Sequence, residues 1–213
     1  MFNTMIKKMT FAWVIGCLTL TTVFAQQAAS TDPIKGSQYV NDNYVEGTVF
    51  YADKSLNVPL RYNAFQDVME YQQSGKPLVL DAKNVQRVSI GDETYMTFSY
   101  DAKGKQKMGF FSVLDSGQMT LFRKKSIVYQ APLKGRALDG GDLPAQYKPA
   151  PDTYYYRLGD GSLKEVDNLK SLLADLPENQ NAIADFAKKE KISFKKEKDL
   201  VALVKQYNAL ADN

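Results

Sequence analysis

Carboxylates, lysine, tyrosine and serine are the side chains of this sequence that could perform catalytic chemistry, because histidine is missing and cysteine occurs once. The 213 residues include no histidine and a single cysteine, Cys17. Ser-His-Asp and Cys-His arrangements, histidine zinc sites and c-type haem attachment are therefore excluded. A carboxyl group that acts as a general acid near neutral pH needs a pKa raised by about 2 units, at a cost of ~3 kcal/mol.

Five acidic residues lie in or beside predicted strands: Glu46, Asp67, Glu70, Asp81 and Glu93. Solvated strand faces and turns are the commoner setting for such residues, since perturbed pairs are uncommon outside functional sites. Two acidic, glycine-bearing segments, 139–142 and 160–161, lack the alternating ligands and distal Glu of an EF-hand loop. We therefore assign no catalytic residue, no metal ligand and no cofactor.

Three residues are predicted to make binding contacts on the outer face of a sheet: Arg61, Tyr155 and Arg157. Alternation along residues 153–158 places Tyr155 and Arg157 opposite the packed side chains of the same strand. A planar guanidinium and an aromatic ring offer contact area at low entropic cost. Ordinary cross-strand packing is the competing interpretation of the tyrosine.

The strands that must position these residues lie between residues 45 and 130, which predict an antiparallel β-meander with one apolar and one wet face. Short turn-forming segments separate the strands and favour sequential pairing. About eight strands are expected, at 45–52, 56–63, 67–72, 78–81, 85–90, 95–100, 107–114 and 119–125.

The C-terminal residues 153–213 predict a β-hairpin followed by three short helices. Gly159, Asp160 and Gly161 separate the two hairpin strands, and the apolar period then changes from 2 to 3.6. Helices this short need tertiary packing, so they are expected to cover the apolar face of the sheet. The fold class is therefore α+β.

Two segments lack this patterning. Residues 131–152 hold four of the eight prolines and a glycine pair, which predict a mobile loop or linker. Residues 26–44 are polar and without periodicity, and are expected to form a flexible lead.

Residues 1–25 resemble a signal peptide, with a basic start, an apolar segment and a cleavage site at Ala25. We expect a periplasmic, envelope-associated or extracellular protein without a membrane span after cleavage. Residues 14–17 also resemble a lipoprotein box, which would make Cys17 a lipidated first residue. The apolar residues that follow Cys17 favour the ordinary signal peptide.

Without the signal the chain carries 25 basic and 24 acidic residues, a balance that gives no case for nucleic acid binding. The exception is a local cluster between Lys188 and Lys198, where six lysines meet two glutamates. A weak contact with an anionic surface is one interpretation. A solvated helix end is the commoner one.

Several short motifs resemble a large group of secreted, uncharacterised proteins of Bacteroidota. They lie at residues 47–49, 60–63, 109–117, 154–156 and 199–208, and the similarity covers roughly residues 45–210. The resemblance implies export and a bacterial envelope setting. It supplies no catalytic residues.

Two functions remain open at this point. The first is a non-catalytic secreted or cell-envelope protein that binds another envelope protein or a glycan. The second is a small secreted hydrolase that uses paired carboxylates. The missing histidine favours the first.

Export is directly testable. We predict that the intact mass of the processed protein matches a Gln26 start, because cleavage after Ala25 removes the whole apolar segment. Acyl labelling that is abolished by Cys17→Ala would show the lipoprotein route instead.

Overall fold

The computed structural model describes residues 33–102, 104–133 and 142–211. The expected cleavage site at Ala25, Cys17 and most of the segment 139–142 lie outside the described residues. The described part of the chain is an α+β fold dominated by antiparallel strands.

Twelve strands and three helices form from the described residues. In chain order the strands are β1 (Val45–Phe50), β2 (Ser55–Asn63), β3 (Val68–Gln73), β4 (Lys76–Val79), β5 (Arg87–Ile90), β6 (Glu93–Asp101), β7 (Gln106–Asp115), β8 (Met119–Lys124), β9 (Ile127–Gln130), β10 (Gln146–Pro149), β11 (Thr153–Leu158) and β12 (Lys164–Glu165). The helices are α1 (Leu169–Ala174), α2 (Gln180–Lys189) and α3 (Glu197–Ala211).

Ten of these strands form one curled antiparallel sheet, in the order β12-β11-β8-β7-β6-β5-β1-β2-β3-β4. The first eight strands lie where the sequence predicts them, but they are not one meander. They are two meanders, β1–β4 and β5–β8, joined because β5 pairs with β1 instead of β4. Strand β4 is short, exposed along its length and interrupted by Pro77, which suits an edge position.

Residues 131–152 contain a strand that the sequence analysis did not predict. Strand β10 pairs with β9 to form a separate two-stranded sheet, with Tyr147 opposite Tyr129. Pro149 ends β10, where a missing amide donor is tolerated. The lead is also attached to the fold: Lys35 forms a bridge with Gln146, and Tyr39 forms one with Asn63.

The C-terminal elements follow the prediction closely. Strand β11 pairs with β12 on one side and with β8 on the other. Asn168 caps α1 by accepting a hydrogen bond from the Ser171 amide at 2.8 Å. Helix α2 begins after Asn179, which has a left-handed φ of 59°.

The helices cover one end of the sheet, as expected from their apolar faces. Residues of all three helices share a buried cluster with strands β8 and β11: Met119, Leu121, Tyr154, Tyr156, Leu172, Ile183, Leu200, Leu203, Val204 and Tyr207. No helix among the described residues is both long and apolar enough to cross a bilayer.

The expectation of one wet face is wrong for the centre of the sheet. Phe110 and Phe111 are successive residues of β7, so their side chains point to opposite faces, yet both are fully buried. Phe110 belongs to a cluster with Val49, Leu60 and Met69. Phe111 belongs to another, and the curling of the sheet allows both faces to be covered.

The helical cover gives a stability prediction. Leu203 is fully buried in α3, so Leu203→Ala should lower the free energy of unfolding by about 2 to 5 kcal/mol, measured by urea denaturation. Leu143 is 53% exposed, and Leu143→Ala should change the free energy of unfolding by less than about 0.5 kcal/mol. Equal effects of the two changes would show that α3 does not pack on the sheet.

Candidate functional site

Arg61, the first predicted contact residue, is held within the fold. Its guanidinium donates to Glu70 through Nε at 3.0 Å and Nη2 at 2.8 Å. The rings of Tyr39 and Tyr44 flank the group, with centroids 3.6 and 4.4 Å from Cζ. Burial raises the pKa of Glu70, but the hydrogen bonds from Arg61 and Asn63 outweigh it, so the pKa lies below its usual value.

Tyr155 and Arg157 lie on β11, with five strands between β11 and β2 in the sheet order. The expected outward exposure of Tyr155 is wrong, because its ring is 7% exposed and packs on Phe111 at 5.0 Å between centroids. Arg157 is half-buried, with Cζ 5.4 Å from the ring centroid of Phe98. Aromatic packing on this second covered face accounts for both positions.

Asp67 forms a buried ion pair with Lys124. Nζ of Lys124 lies 2.7 Å from Oδ1 of Asp67, and the two side chains are only 7% and 14% exposed. The hydroxyl groups of Tyr62 and Tyr100 donate to Oδ1 and Oδ2 at 2.8 and 2.9 Å. Burial lowers the pKa of Lys124, although the charge of Asp67 opposes that shift.

Glu93 is the centre of a third charged cluster, after Arg61–Glu70 and Asp67–Lys124. Arg123 and Lys125 each donate to Oε1 of Glu93 at 2.7 Å, and the Tyr95 hydroxyl donates to Oε2. Burial alone would raise the pKa of Glu93, but the hydrogen bonds from Lys125 and Tyr95 bring it below its usual value. Such a carboxylate is held in its charged form and is a poor general acid at neutral pH.

A cavity of about 290 Å³ is lined by residues of the Arg61–Glu70 pair and of the Glu93 cluster. It is lined by Arg61 and Tyr62 on one side and by Glu93, Tyr95 and Lys125 on the other. The charged side chains that reach this cavity are those already paired with Glu70 or with each other. The cavity therefore joins two clusters whose hydrogen bonds act within the fold.

A second cavity, of about 540 Å³, carries a different set of carboxylates from those considered in the sequence. Asp152, Glu165 and Asp167 contribute to its lining together with Tyr154 and Phe194. Partial burial raises the pKa of Asp152, although the charges of Arg123 and Lys125 act in the opposite direction. The residue as a whole is exposed. Among the described residues, no group of three acidic side chains is placed to hold a metal ion.

The β9–β10 hairpin carries an exposed aromatic row that the sequence analysis missed. The ring of Tyr147 lies 5.1 Å from that of Phe65 and 5.4 Å from that of Tyr129, between centroids. Phe65 is 41% exposed and Tyr129 is 44% exposed. A bridge between Leu133 and Leu143 continues the hairpin register.

Leu133 and Leu143 lie four residues from Tyr129 and Tyr147, so alternation places all four side chains on one face of the hairpin. Both leucines are exposed. We call these four residues and Phe65 the hairpin patch. The alternating apolar residues at 143, 145 and 147 were the available sequence signal, but the surrounding prolines favoured a loop.

The lysine cluster begins in the last turn of α2, which contains Lys188 and Lys189. Cations are favourable at this end of a helix, since the macrodipole is negative there. That placement fits a solvated helix end. Contact of the cluster with an anionic surface stays a prediction.

The Arg61–Glu70 pair gives a pH prediction. The pKa of Glu70 is lower in the folded protein than its usual value. The ionised carboxylate therefore stabilises the fold at pH values above the usual pKa, and this stabilisation is lost as the pH falls through the folded-state pKa. Glu70→Gln should therefore lower the free energy of unfolding at pH 7 by about 1 to 3 kcal/mol. Urea midpoints should show a smaller difference between variant and wild type near about pH 3. A difference that stays constant with pH would contradict the assigned ionisation.

No protein-family model matches the chain, and none of the curated proteins or solved structures matches it. The resemblance to secreted Bacteroidota proteins therefore remains a prediction from the short motifs.

Proposed function

We propose that the protein is a non-catalytic, exported cell-envelope protein that binds another protein through the hairpin patch. The observation that carries the proposal is the concentration of exposed apolar side chains on this hairpin and beside it. Four of the ten large apolar side chains that are exposed in the described part of the chain belong to the patch itself: Phe65, Tyr129, Leu133 and Leu143. Exposed apolar patches of this kind mark interaction surfaces.

The geometry of the patch favours a protein partner over a glycan. The ring of Tyr147 is tilted by 65° to that of Phe65 and by 58° to that of Tyr129. Rings at these angles do not form a flat stacking surface for successive sugar rings. Aromatic rings with aliphatic neighbours are instead the composition that is enriched at the centre of protein interfaces.

The charged groups of the fold support the same conclusion. Arg61, Arg123 and Lys124 each form an ion pair with a carboxylate of the chain. Their pairing stabilises the sheet, whereas Phe65, Tyr129, Leu133 and Leu143 of the hairpin patch are exposed. Binding through Arg61, Tyr155 and Arg157 would first require these side chains to leave packed positions.

The cavity at Asp152 favours a second candidate, a small secreted hydrolase. Asp152, Glu165 and Asp167 supply carboxylates to a concave site, and the raised pKa of Asp152 is the direction that a general acid needs. A hydrolase of this kind would use one protonated and one ionised carboxyl group. The extensive exposure of Asp152 makes this the weaker of the two proposals.

The binding proposal predicts that a Phe65→Ser, Tyr129→Ser double variant captures its partner from envelope extract at least about tenfold less strongly than wild type. The reason is that central aromatic residues dominate interface energies. The measurement is affinity capture of the tagged protein with quantitative mass spectrometry. The melting temperature should change little, because both rings are more than one third exposed.

A Leu78→Ser, Val79→Ser double variant is the matched control, because it removes two exposed apolar side chains from the sheet edge. Equal capture by wild type and both variants would reject the hairpin patch. Turnover of a glycan or peptide by the purified protein, lost in Asp152→Asn, would establish the hydrolase instead.

A further inference from the structure

We propose that Lys124 and Asp67 form an intramolecular isopeptide bond, an amide between Nζ of the lysine and Cγ of the aspartate, with loss of water. The chain would catalyse this modification itself after folding. The bond would join β8 to the turn between β2 and β3, and so close the curled sheet covalently.

Proximity is the first requirement, and the fold meets it. The two residues are 57 positions apart in the chain, yet Nζ lies 2.7 Å from Oδ1. Because Oδ1 is bonded to Cγ, this contact holds the amine beside the carbon that it would attack, and intramolecular placement of this kind gives effective molarities far above any solution concentration. The same proximity favours the amide over its hydrolysis, because the two groups stay together after the bond breaks.

The surroundings exclude water and disfavour the charged form of Lys124. The rings of Tyr100 and Phe111 each lie 4.4 Å from Nζ, measured to the ring centroids. A Cβ atom at Gly109 would come within 2.4 Å of Asp67 Oδ2 and 2.7 Å of Lys124 Nζ, so this glycine leaves the space that the pair occupies. In such a medium two opposite charges are expensive, and a lysine that gives up its proton becomes an amine that can attack.

Hydrogen-bond donors already point at the carboxyl oxygens. Tyr62 and the Phe110 amide donate to Oδ1, at 2.8 and 3.3 Å, and Tyr100 donates to Oδ2 at 2.9 Å. Attack at Cγ moves negative charge onto these oxygens, where fixed donors stabilise it. The carbonyl oxygen of Phe110 accepts from Nζ at 3.3 Å and helps to hold the amine.

The reaction balances without another reagent. The ammonium group first transfers one proton to the carboxylate. The Nζ lone pair then forms the bond to Cγ, and one Cγ–O bond breaks. The departing hydroxyl takes a proton from nitrogen and leaves as water, so that one amide proton remains on Nζ.

Two further lysine–carboxylate pairs serve as comparisons within the chain. Lys125–Glu93 and Lys164–Asp175 have N–O distances of 2.7 and 2.6 Å, similar to that of Lys124–Asp67. Their side chains are 23% to 51% exposed, so water reaches both pairs and competes with the attacking amine. We therefore expect no bond in either pair.

The test is the mass of the purified wild-type protein, followed by tryptic mapping. We expect an intact mass one water lighter than the processed sequence, and a branched peptide that joins the segments containing Asp67 and Lys124. Mapping is required because cyclisation of an N-terminal Gln26 also lowers the mass. Trypsin should cleave after Lys164 but not after Lys124.

Variants separate the amide from other dehydrations. Lys124→Met and Asp67→Ala should each abolish the branched peptide. Asp67→Asn should abolish it as well, because the asparagine amide cannot accept the lysine proton. Full tryptic cleavage after Lys124 in the wild-type protein, with no branched peptide, would overturn the proposal whether or not the variants fold.

Discussion

The buried contact between Lys124 and Asp67 is the interaction on which the curled sheet depends. It holds the β2–β3 turn against strands β6, β7 and β8, where Asp67 also accepts hydrogen bonds from Tyr100 and the Phe110 amide. Asp67 adopts a left-handed φ of 60°, which turns the chain sharply enough to bring its carboxylate to this point.

Closure of the sheet has a consequence for function. Tyr155 and Phe111 are both buried in the curled sheet. The charged side chains of Arg61 and Arg123 pair with Glu70 and Glu93. The hairpin formed by β9 and β10 lies outside this sheet and belongs to a separate two-stranded one. Its aromatic rings are therefore free of the packing that makes the central aromatic residues inaccessible.

Local patterns in the sequence predict most elements of the fold. Alternation and turn residues locate strands β1–β8, and the change to a helical period locates the three helices. Pairing between β1 and β5 was not predictable in this way, because it depends on contacts across about forty residues. Prolines likewise concealed β10, since a two-stranded hairpin tolerates a proline at its end where a central strand does not.

The candidate sites show the same division between local and long-range information. Asp67 and Glu70 were recognisable as carboxylates beside strands, but their partners Lys124 and Arg61 became evident only from the folded sheet. Tyr155 alternates correctly along its strand, yet its exposure depends on whether another layer covers that face. Alternation reports the face of a side chain, whereas burial is a property of the whole fold.

In the proposed function, the hairpin patch is the surface at which this protein meets its partner. The most direct measurement is site-specific photocrosslinking in the native host, with a photoreactive amino acid at Tyr129 and, as the comparison, at Leu78 on the exposed edge strand. The account predicts a discrete adduct with one envelope protein from position 129 and none from position 78. Absence of an adduct at position 129, or the same adduct from both positions, would contradict it.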